Sequence, residues 1–187
     1  MMYLFVGLGN PTPNSQDNRH NIGFKIIDAI NQKFNLSKQK PKFKGLLTTG
    51  NVENKKVYAI KPLTFMNNSG ICIRELLEYF KMEAQNVFVF HDDLDIDFGK
   101  IKAKFGGSSA GHNGIESIDK FIGKEYSRVR IGIGKPENKM SVSDFVLDNF
   151  NNEEKEILEI ITSNIVEYFP ILLDKKLDLF SSTVNNK

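Results

Sequence analysis

The sequence predicts an α/β fold, a twisted mixed β-sheet flanked by helices, and three observations lead to this prediction. Short apolar runs alternate along the chain with segments of helical spacing. The length of 187 residues suits one domain with a sizeable core, and we expect a single domain over residues 1–187. Polar or glycine-rich motifs follow four apolar runs, namely Asn10, the Asp92-Asp93-Asp95 cluster, the loop at Gly106, and Lys135. Such motifs at strand ends predict one shared crevice.

The first part of the chain predicts three strands and two helices. Residues 2–6 form an apolar run that is typical of a buried strand, and residues 22–34 have the apolar period of a helix. The later elements follow in this order: a basic loop at 37–42, a strand pair at 43–52 and 56–61 joined by the turn Glu53-Asn54-Lys55, an irregular segment at 62–70, and a helix at 71–82.

The second part predicts three more strands, a glycine-rich loop and two helical segments. Residues 87–90 are wholly apolar, which is typical of a central strand. Then come a strand at 100–105, a flexible loop at 106–114, a helix at 115–122, a strand at 127–133, and a long amphipathic helical region at 151–180. Pro170 is expected to interrupt that last region, because proline lacks the N–H that a helix interior needs.

The composition excludes several classes of protein. No apolar run approaches the ~20 residues that span a bilayer, and the first residues lack the basic region and cleavage site of a signal peptide. The single cysteine excludes a disulfide framework and a thiolate metal cluster. We therefore expect a cytoplasmic protein that does not act at a membrane.

The lysines suggest contact with phosphates more than the total charge does. The net charge is only +2, but lysines alternate in two rows, Lys38, Lys40, Lys42 and Lys44, and then Lys100, Lys102 and Lys104. Alternate residues of an extended chain face the same side. Each row could therefore follow a phosphate backbone, or it could be a solvated strand face.

His20 is a candidate general base, because it lies between the sharp turn at residues 7–11 and the predicted helix at 22–34. A working base needs a carboxylate that fixes its tautomer. The acidic cluster after the strand at 87–90 offers Asp92, Asp93 and Asp95. Taken alone, His20 is better explained as a neighbour of the helix N-terminus with no chemical role.

Two other kinds of site receive little support. Gly7 and Gly9 suggest a dinucleotide-binding turn, but Thr12 stands where that fingerprint needs its third glycine. His91 and Asp93 could bind a metal, yet no second histidine falls at ligand spacing. The chain also lacks the phosphate-binding and serine-nucleophile motifs that follow strands in other α/β enzymes.

Four further residues have structural interpretations. Phe65 and Met66 are expected to pack against the core. Cys72 lies near the apolar stripe of its helix, so we also expect it in the core. His112, in the glycine-rich loop, could contribute to a site or could brace the backbone.

Taken together, the motifs resemble those of one family, the bacterial-type peptidyl-tRNA hydrolases. The matching segments, in the order and spacing of the family, are Val6-Gly7-Leu8-Gly9-Asn10-Pro11, Arg19-His20-Asn21-x-Gly23, Lys61-Pro62-x-Thr64-Phe65-Met66-Asn67-x-Ser69-Gly70, His91-Asp92-Asp93-Leu94-Asp95, Gly111-His112-Asn113-Gly114, and Arg128-x-Arg130-Ile131-Gly132-Ile133-Gly134. Any one motif is a weak signal, but all of them in register across residues 3–147 are specific. This family cleaves the ester between a peptide and the 3′ ribose of tRNA.

The resemblance implies a role for each matching residue. His20 is expected to activate water, and Asp92 to be its partner carboxylate. The implied substrate-binding residues are Asn10, Asn67 and Asn113; the implied pair for the tRNA 5′-phosphate is Lys104 and Arg130; and the candidate contacts to tRNA or peptide are Ser15 and Phe65. The implied partner is peptidyl-tRNA, bound through its acceptor stem and 3′ end by a monomer that needs no metal or other cofactor.

Some positions depart from the family pattern. Ser15 stands where an aromatic residue is common, Thr12-Pro13 replaces a glycine, and Ser108-Ser109-Ala110 replaces a run richer in glycine. These changes affect the loops around the expected site, not the base or its carboxylate. Two alternatives remain: an RNA-binding module on the same fold without hydrolysis, and an enzyme that binds a nucleotide cofactor.

Overall fold

A mixed β-sheet of seven strands forms the centre of the molecule. The structure, a computed structural model, describes residues 1–137 and 139–187. The strands are β1 (Met2–Gly7), β2 (Lys40–Lys42), β3 (Gly45–Val52), β4 (Lys55–Pro62), β5 (Val87–Asp93), β6 (Ile101–Phe105) and β7 (Ser127–Gly132). Their order across the sheet is β2-β3-β4-β1-β5-β7-β6. The predicted fold class is confirmed.

Helices cover both faces of this sheet. They are α1 (Ile22–Lys33), α2 (Ser69–Phe80), α3 (Asn113–Ile122), α4 (Val142–Leu147), α5 (Asn152–Glu167), α6 (Phe169–Leu173) and α7 (Leu177–Asn185). Because side chains alternate along a strand, β1 feeds two cores. Tyr3 and Phe5 pack with α1, α5, α6 and α7, while Leu4 and Val6 pack with α2 and α3.

The parallel strands bring their carboxyl ends to one edge of the sheet. β1 pairs in parallel with β4 and β5, and β5 pairs in parallel with β7. Helix α1 lies very close to this edge. A Cβ on Gly23 would stand only 2.4 Å from Leu8 N and from the Phe90 carbonyl oxygen, so only glycine fits there. This close approach sets the turn before α1, which carries His20, against the end of β5.

Several predicted boundaries shift in informative ways. The basic segment at 37–42 is not wholly a loop, because its last residues form β2. Phe43 and Lys44 both have positive φ, so the first lysine row is interrupted by a turn. β5 is longer than predicted and includes His91, Asp92 and Asp93. The helical region at 151–180 breaks beside Pro170, as predicted, and Cys72 lies in the core, as predicted.

Among the residues that the structure describes, α4 is the one α-helix that the sequence pattern misses. It has only six residues, too few for a clear apolar period, although Ser141 caps it by accepting from the Asp144 N–H. In the described residues, no helix is both long enough and apolar enough to cross a bilayer.

Candidate active site

A cleft of about 1000 Å³ opens at the carboxyl ends of the parallel strands. It brings together seven of the nine predicted site residues: Asn10, Ser15, His20, Phe65, Asn67, Asp92 and Asn113. The other two, Lys104 and Arg130, do not line the cleft. The location agrees with the rule that ligands of α/β sheets bind beyond the carboxyl ends of strands.

His20 and Asp92 are directly hydrogen-bonded in this cleft. The His20 Nδ1 atom lies 2.8 Å from Asp92 Oδ2 and 3.0 Å from Oδ1. The Asp92 side chain is only 2 % exposed. An ionised carboxylate can only accept, so we assign the proton to Nδ1. The other ring nitrogen, Nε2, then carries a lone pair and is the atom left to take a proton in the cleft.

His112 is the second partner of Asp92, and its tautomer is also fixed. The residue caps α3, because its Nδ1 accepts from the backbone N–H groups of Gly114 (3.1 Å) and Ile115 (3.3 Å). Its Nε2 must therefore carry the proton, and it lies 2.8 Å from Asp92 Oδ1. The sequence left open whether His112 contributes to a site or braces the backbone, and it does both.

The surroundings keep Asp92 ionised. Burial alone would raise the pKa of Asp92, but its electrostatic interactions and hydrogen bonds with His112 and His20 hold that pKa far below its usual range. A permanent carboxylate next to His20 can stabilise the imidazolium that forms when this ring takes a proton.

His91 is buried behind this pair and is held neutral. Its Nδ1–H donates to the Asp92 carbonyl oxygen at 2.7 Å, and its ring packs edge-on against His112 with centroids 4.9 Å apart. Burial, together with the nearby His112, lowers the pKa of His91 to about 3. His91 therefore braces the backbone beside Asp92, and among the described residues it does not join Asp93 in a group of three side chains that could hold a metal ion.

Because His91 is buried in its neutral form, we expect the free energy of unfolding to decrease at acid pH. In the unfolded chain this ring titrates near pH 6.5. The folded protein resists that proton, so stability is full above about pH 6.5 and is lost as the pH falls toward 3. We expect this residue to contribute a slope of up to about 1.4 kcal/mol per pH unit. Urea unfolding at several pH values measures it. His91→Asn keeps a donor and should flatten the curve; an unchanged slope would contradict the assignment.

Asn10 is clamped so that its amide group faces the cleft. Its backbone N–H and carbonyl are both bonded to the Asn21 side chain at 2.9 Å. Its own side-chain oxygen accepts from the Met66 N–H, also at 2.9 Å. Among the described residues the Asn10 NH₂ group has no protein acceptor, so it is available to a ligand. Asn67 and Asn113 are exposed at the starts of α2 and α3.

The prediction that Phe65 packs against the core is wrong. Met66 packs in the core as expected, but Phe65 is 53 % exposed and lines the cleft. Its backbone has φ 64° and ψ 159°, a region occupied almost only by glycine. This conformation turns the ring away from the core, and a propensity argument gives no warning of it. The exposed ring is compatible with the predicted ligand contact.

Three of the cleft residues could in principle hold a metal ion. Donor atoms of His20, Asp92 and His112 lie within 4.8 Å of one another. However, both imidazole nitrogens that face Asp92 are at hydrogen-bond distance from its oxygens, and His112 must carry its proton there. A ligand to a metal needs a bare lone pair. The residues therefore fit a hydrogen-bonded triad better than a metal site.

Lys104 and Arg130 form a separate basic pair on neighbouring strands. Lys104 lies opposite Arg128, and Lys102 lies opposite Arg130, so all four side chains leave the same face. Burial lowers the pKa of Lys104, and the charges of Arg130 and Arg128 lower it further, which indicates a concentrated positive field. Arg130 is also bonded to Asp93, with Nε 2.7 Å from Oδ2.

The glycine-rich loop reaches the cleft by a route that the sequence did not predict. β6 runs antiparallel to β7, so Gly106 leaves the sheet at the edge opposite the crevice. The buried Arg128 redirects the loop by donating to the Ser108 carbonyl at 2.7 Å and to Asp119 at 2.9 Å. Residues 109–113 then line the cleft. The predicted shared crevice is confirmed, because residues of all four motifs line the cleft, although β6 does not deliver its loop there directly.

Arg19, the residue before His20, is bonded to the segment that forms one wall of the cleft. Its guanidinium donates to the carbonyls of Phe145 and Asn149 and to the Glu154 carboxylate. It also lies over the Phe145 ring, 4.4 Å from the centroid. Helix α4, which is anchored this way, contributes an apolar wall of Val142, Val146 and Leu147.

Comparison with known proteins agrees with this geometry. Residues 4–187 match the family described as peptidyl-tRNA hydrolase. The chain belongs to the peptidyl-tRNA hydrolase family. It is 77 % identical over 186 residues to the peptidyl-tRNA hydrolase of Pelagibacter ubique, covering all of both chains. It is 46 % identical to that of Ehrlichia canis over 100 % of this chain and 95 % of the relative.

Solved structures of this family share the fold. The crystal structure of peptidyl-tRNA hydrolase from Acinetobacter baumannii superposes with a TM-score of 0.91 at 32 % identity, covering 98 % of this chain and 94 % of that one. The predicted resemblance to the peptidyl-tRNA hydrolase family is thus confirmed.

Proposed function

We propose that this protein hydrolyses the ester that joins a peptide to the 3′ ribose of tRNA, acting on peptidyl-tRNA released from ribosomes. Family membership supports this substrate. The observation that carries the chemistry is the 2.8 Å contact between His20 Nδ1 and Asp92, which leaves Nε2 as a base in the cleft. Because its substrate comes from translation, we expect the enzyme to act in the cytoplasm. We also expect it to act as a monomer.

His20 acts on a water molecule. As that water attacks the ester carbonyl, Nε2 takes its proton, and Asp92 stabilises the resulting imidazolium. The same proton then passes to the 3′ oxygen of the ribose as it leaves. General-base action of this kind contributes about 10²–10⁴-fold to the rate. His112 holds the second oxygen of Asp92, so the carboxylate cannot turn away from His20.

Side-chain amides hold the peptide end of the substrate. Asn10, Asn67 and Asn113 surround the base, and amides can bind peptide carbonyls and N–H groups without selecting a particular side chain. Asn67 or a nearby backbone N–H also serves the developing oxyanion, a contribution of roughly 3 kcal/mol. The apolar wall from α4 and the exposed ring of Phe65 accept the side chains of varied peptides, and Ser15 lines the same cleft.

The basic pair binds the opposite strand of the acceptor stem, at its 5′ terminus. Lys104 and Arg130 contact the 5′-phosphate of tRNA, outside the cleft that holds the 3′ ester. Such contacts to phosphate position an RNA without reading its sequence, as an enzyme for all tRNAs requires.

The reaction proposed here needs no metal. The atoms through which His20, Asp92 and His112 face one another are already joined by hydrogen bonds. We therefore expect an unchanged rate of hydrolysis after treatment with EDTA and removal of the chelator by gel filtration. Activity that disappears and returns with added Zn²⁺ would instead assign these residues to a metal centre.

The test of the proposed function compares two substrates on one tRNA. N-acetyl-aminoacyl-tRNA carries the amide of a peptide, and aminoacyl-tRNA carries a free amine in its place. Since the uncharged side-chain amides of Asn10, Asn67 and Asn113 line the cleft and match a neutral peptide bond better than an ammonium group, we expect rapid cleavage of the acetylated substrate and slow cleavage of the free one. Binding of both without cleavage would indicate a non-catalytic RNA-binding protein.

A further inference from the structure

Asp93 is an acidic side chain for which the proposed reaction gives no role. It is buried, and its two oxygens have different partners. Oδ2 accepts from Arg130 Nε at 2.7 Å, and Oδ1 accepts from the Asp95 backbone N–H at 2.9 Å. The carboxylate is therefore fixed at the end of β5 and in turn fixes the guanidinium of Arg130.

The two neighbouring acids of β5 serve opposite faces of the sheet. Successive side chains of a strand point to opposite sides, so Asp92 meets His20 while Asp93 meets Arg130. Arg130 pairs with His91 across the strands and shares its face with Lys104. One strand end thus reaches both the ester site and the basic pair.

The contact at Nε leaves the two terminal NH₂ groups of Arg130 available to a ligand. A guanidinium has five N–H donors in a planar fork. Only Nε is bonded to protein among the described residues, so both terminal NH₂ groups remain for a ligand. A phosphate accepts from such a fork through two parallel hydrogen bonds. Fixing Nε also fixes the plane in which the fork points.

Asp93 also eases the repulsion within the basic pair. Lys104 is close enough to Arg130 for that charge to disfavour its ammonium, whereas the Asp93 charge favours it. The carboxylate therefore lets two cations lie side by side before any phosphate arrives.

We propose that Asp93 is a positioning residue that orients the Arg130 fork, and thereby makes hydrolysis selective for tRNA that carries a 5′-phosphate. This inference rests on the proposed function and deepens its account of the basic pair. It assigns the second acid of the His91-Asp92-Asp93 run to substrate selection, while the first acid serves the base.

The test measures kcat/KM for acetylated aminoacyl-tRNA with a 5′-phosphate and with a 5′-hydroxyl. For the unmodified enzyme we expect the phosphate to raise kcat/KM about tenfold or more, the size of one charge-assisted contact. In Asp93→Asn, the side chain has one acceptor oxygen, whereas Asp93 accepts from two N–H groups. Its NH₂ group must therefore face either the Asp95 N–H or the Arg130 Nε–H, donor against donor, and the pair of contacts cannot be kept. The ratio should fall toward one, while kcat/KM for the 5′-hydroxyl substrate stays near its original value.

Matched variants separate positioning from general damage. Asp97→Asn makes the same change of charge at an exposed position of the loop that follows β5, and should keep the full ratio. Asp93→Ser retains an acceptor for the Asp95 N–H but loses the contact to Arg130, so it tests the idea if the asparagine variant does not fold. In an Arg130→Ala background, Asp93→Asn should change the ratio no further.

Three results would overturn the inference. The ratio could stay at its original value in both Asp93 variants; both substrates could slow equally, as for a structural role; or the unmodified enzyme could cleave the two substrates equally. In each of these cases hydrolysis of the ester still stands. A protein that cleaves neither substrate would instead refute the proposed function.

Discussion

Replacing His20 with alanine is expected to lower kcat on N-acetyl-aminoacyl-tRNA by about 10³-fold, because the proton acceptor for the attacking water is lost. The affinity for tRNA should change little, since the phosphate-binding pair lies outside the cleft that His20 lines. Single-turnover hydrolysis gives the chemical rate, and a filter-binding titration of uncharged tRNA gives the affinity.

A control on the neighbouring helix guards against general effects. Gln32→Ala changes an exposed residue of α1 and should leave both quantities unchanged. If His20→Ala retained most of its rate, the base would have to be another group. If instead it lost tRNA binding and catalysis together, His20 would be a structural residue of the turn before α1.

Asp92→Asn should be nearly as damaging, with a loss of about 10³-fold in kcat and little change in KM. The buried carboxylate accepts N–H groups from both His20 and His112, whereas the side chain of asparagine has a single acceptor oxygen. If its NH₂ group faces His20, that ring must move its proton to Nε2 and can no longer act as a base. In serine hydrolases, the equivalent change costs about 10⁴-fold for this reason.

The combination of the two changes is more informative than either alone. If Asp92 acts through His20, the double variant His20→Ala with Asp92→Asn should be no slower than His20→Ala. Losses that multiply would show that Asp92 contributes on its own, for example by contacting the water itself. Asp97→Asn again serves as the control for charge.

The sequence predicted the parts of the molecule that depend on local pattern. Apolar runs located β1 and β5, and the apolar period located α1. The meeting of His20 with Asp92 could be expected because one precedes a helix packed on the sheet and the other ends a parallel strand. The resemblance narrowed three acids to one, and the 2.8 Å contact agrees with that choice.

Other features depend on tertiary structure and could not be inferred in this way. The direction of β6 is set by its partner β7, and no residue of β6 specifies it. The exposed Phe65 results from a positive φ that propensities disfavour. The second role of His112 needed the position of α3 relative to β5. The one signal in the sequence for a structural role of His112 was its place just before a predicted helix. There its ring accepts from the first N–H groups of α3.

The attacking oxygen can be followed by one single-turnover reaction in H₂¹⁸O, with enzyme in excess over acetylated aminoacyl-tRNA. If His20 activates water for direct attack on the ester carbonyl, the released acyl amino acid carries ¹⁸O in its carboxylate after this first turnover. An unlabelled product would contradict the account. Label in the Asp92 carboxylate would then identify that residue as a covalent nucleophile and leave His20 without its role as the base.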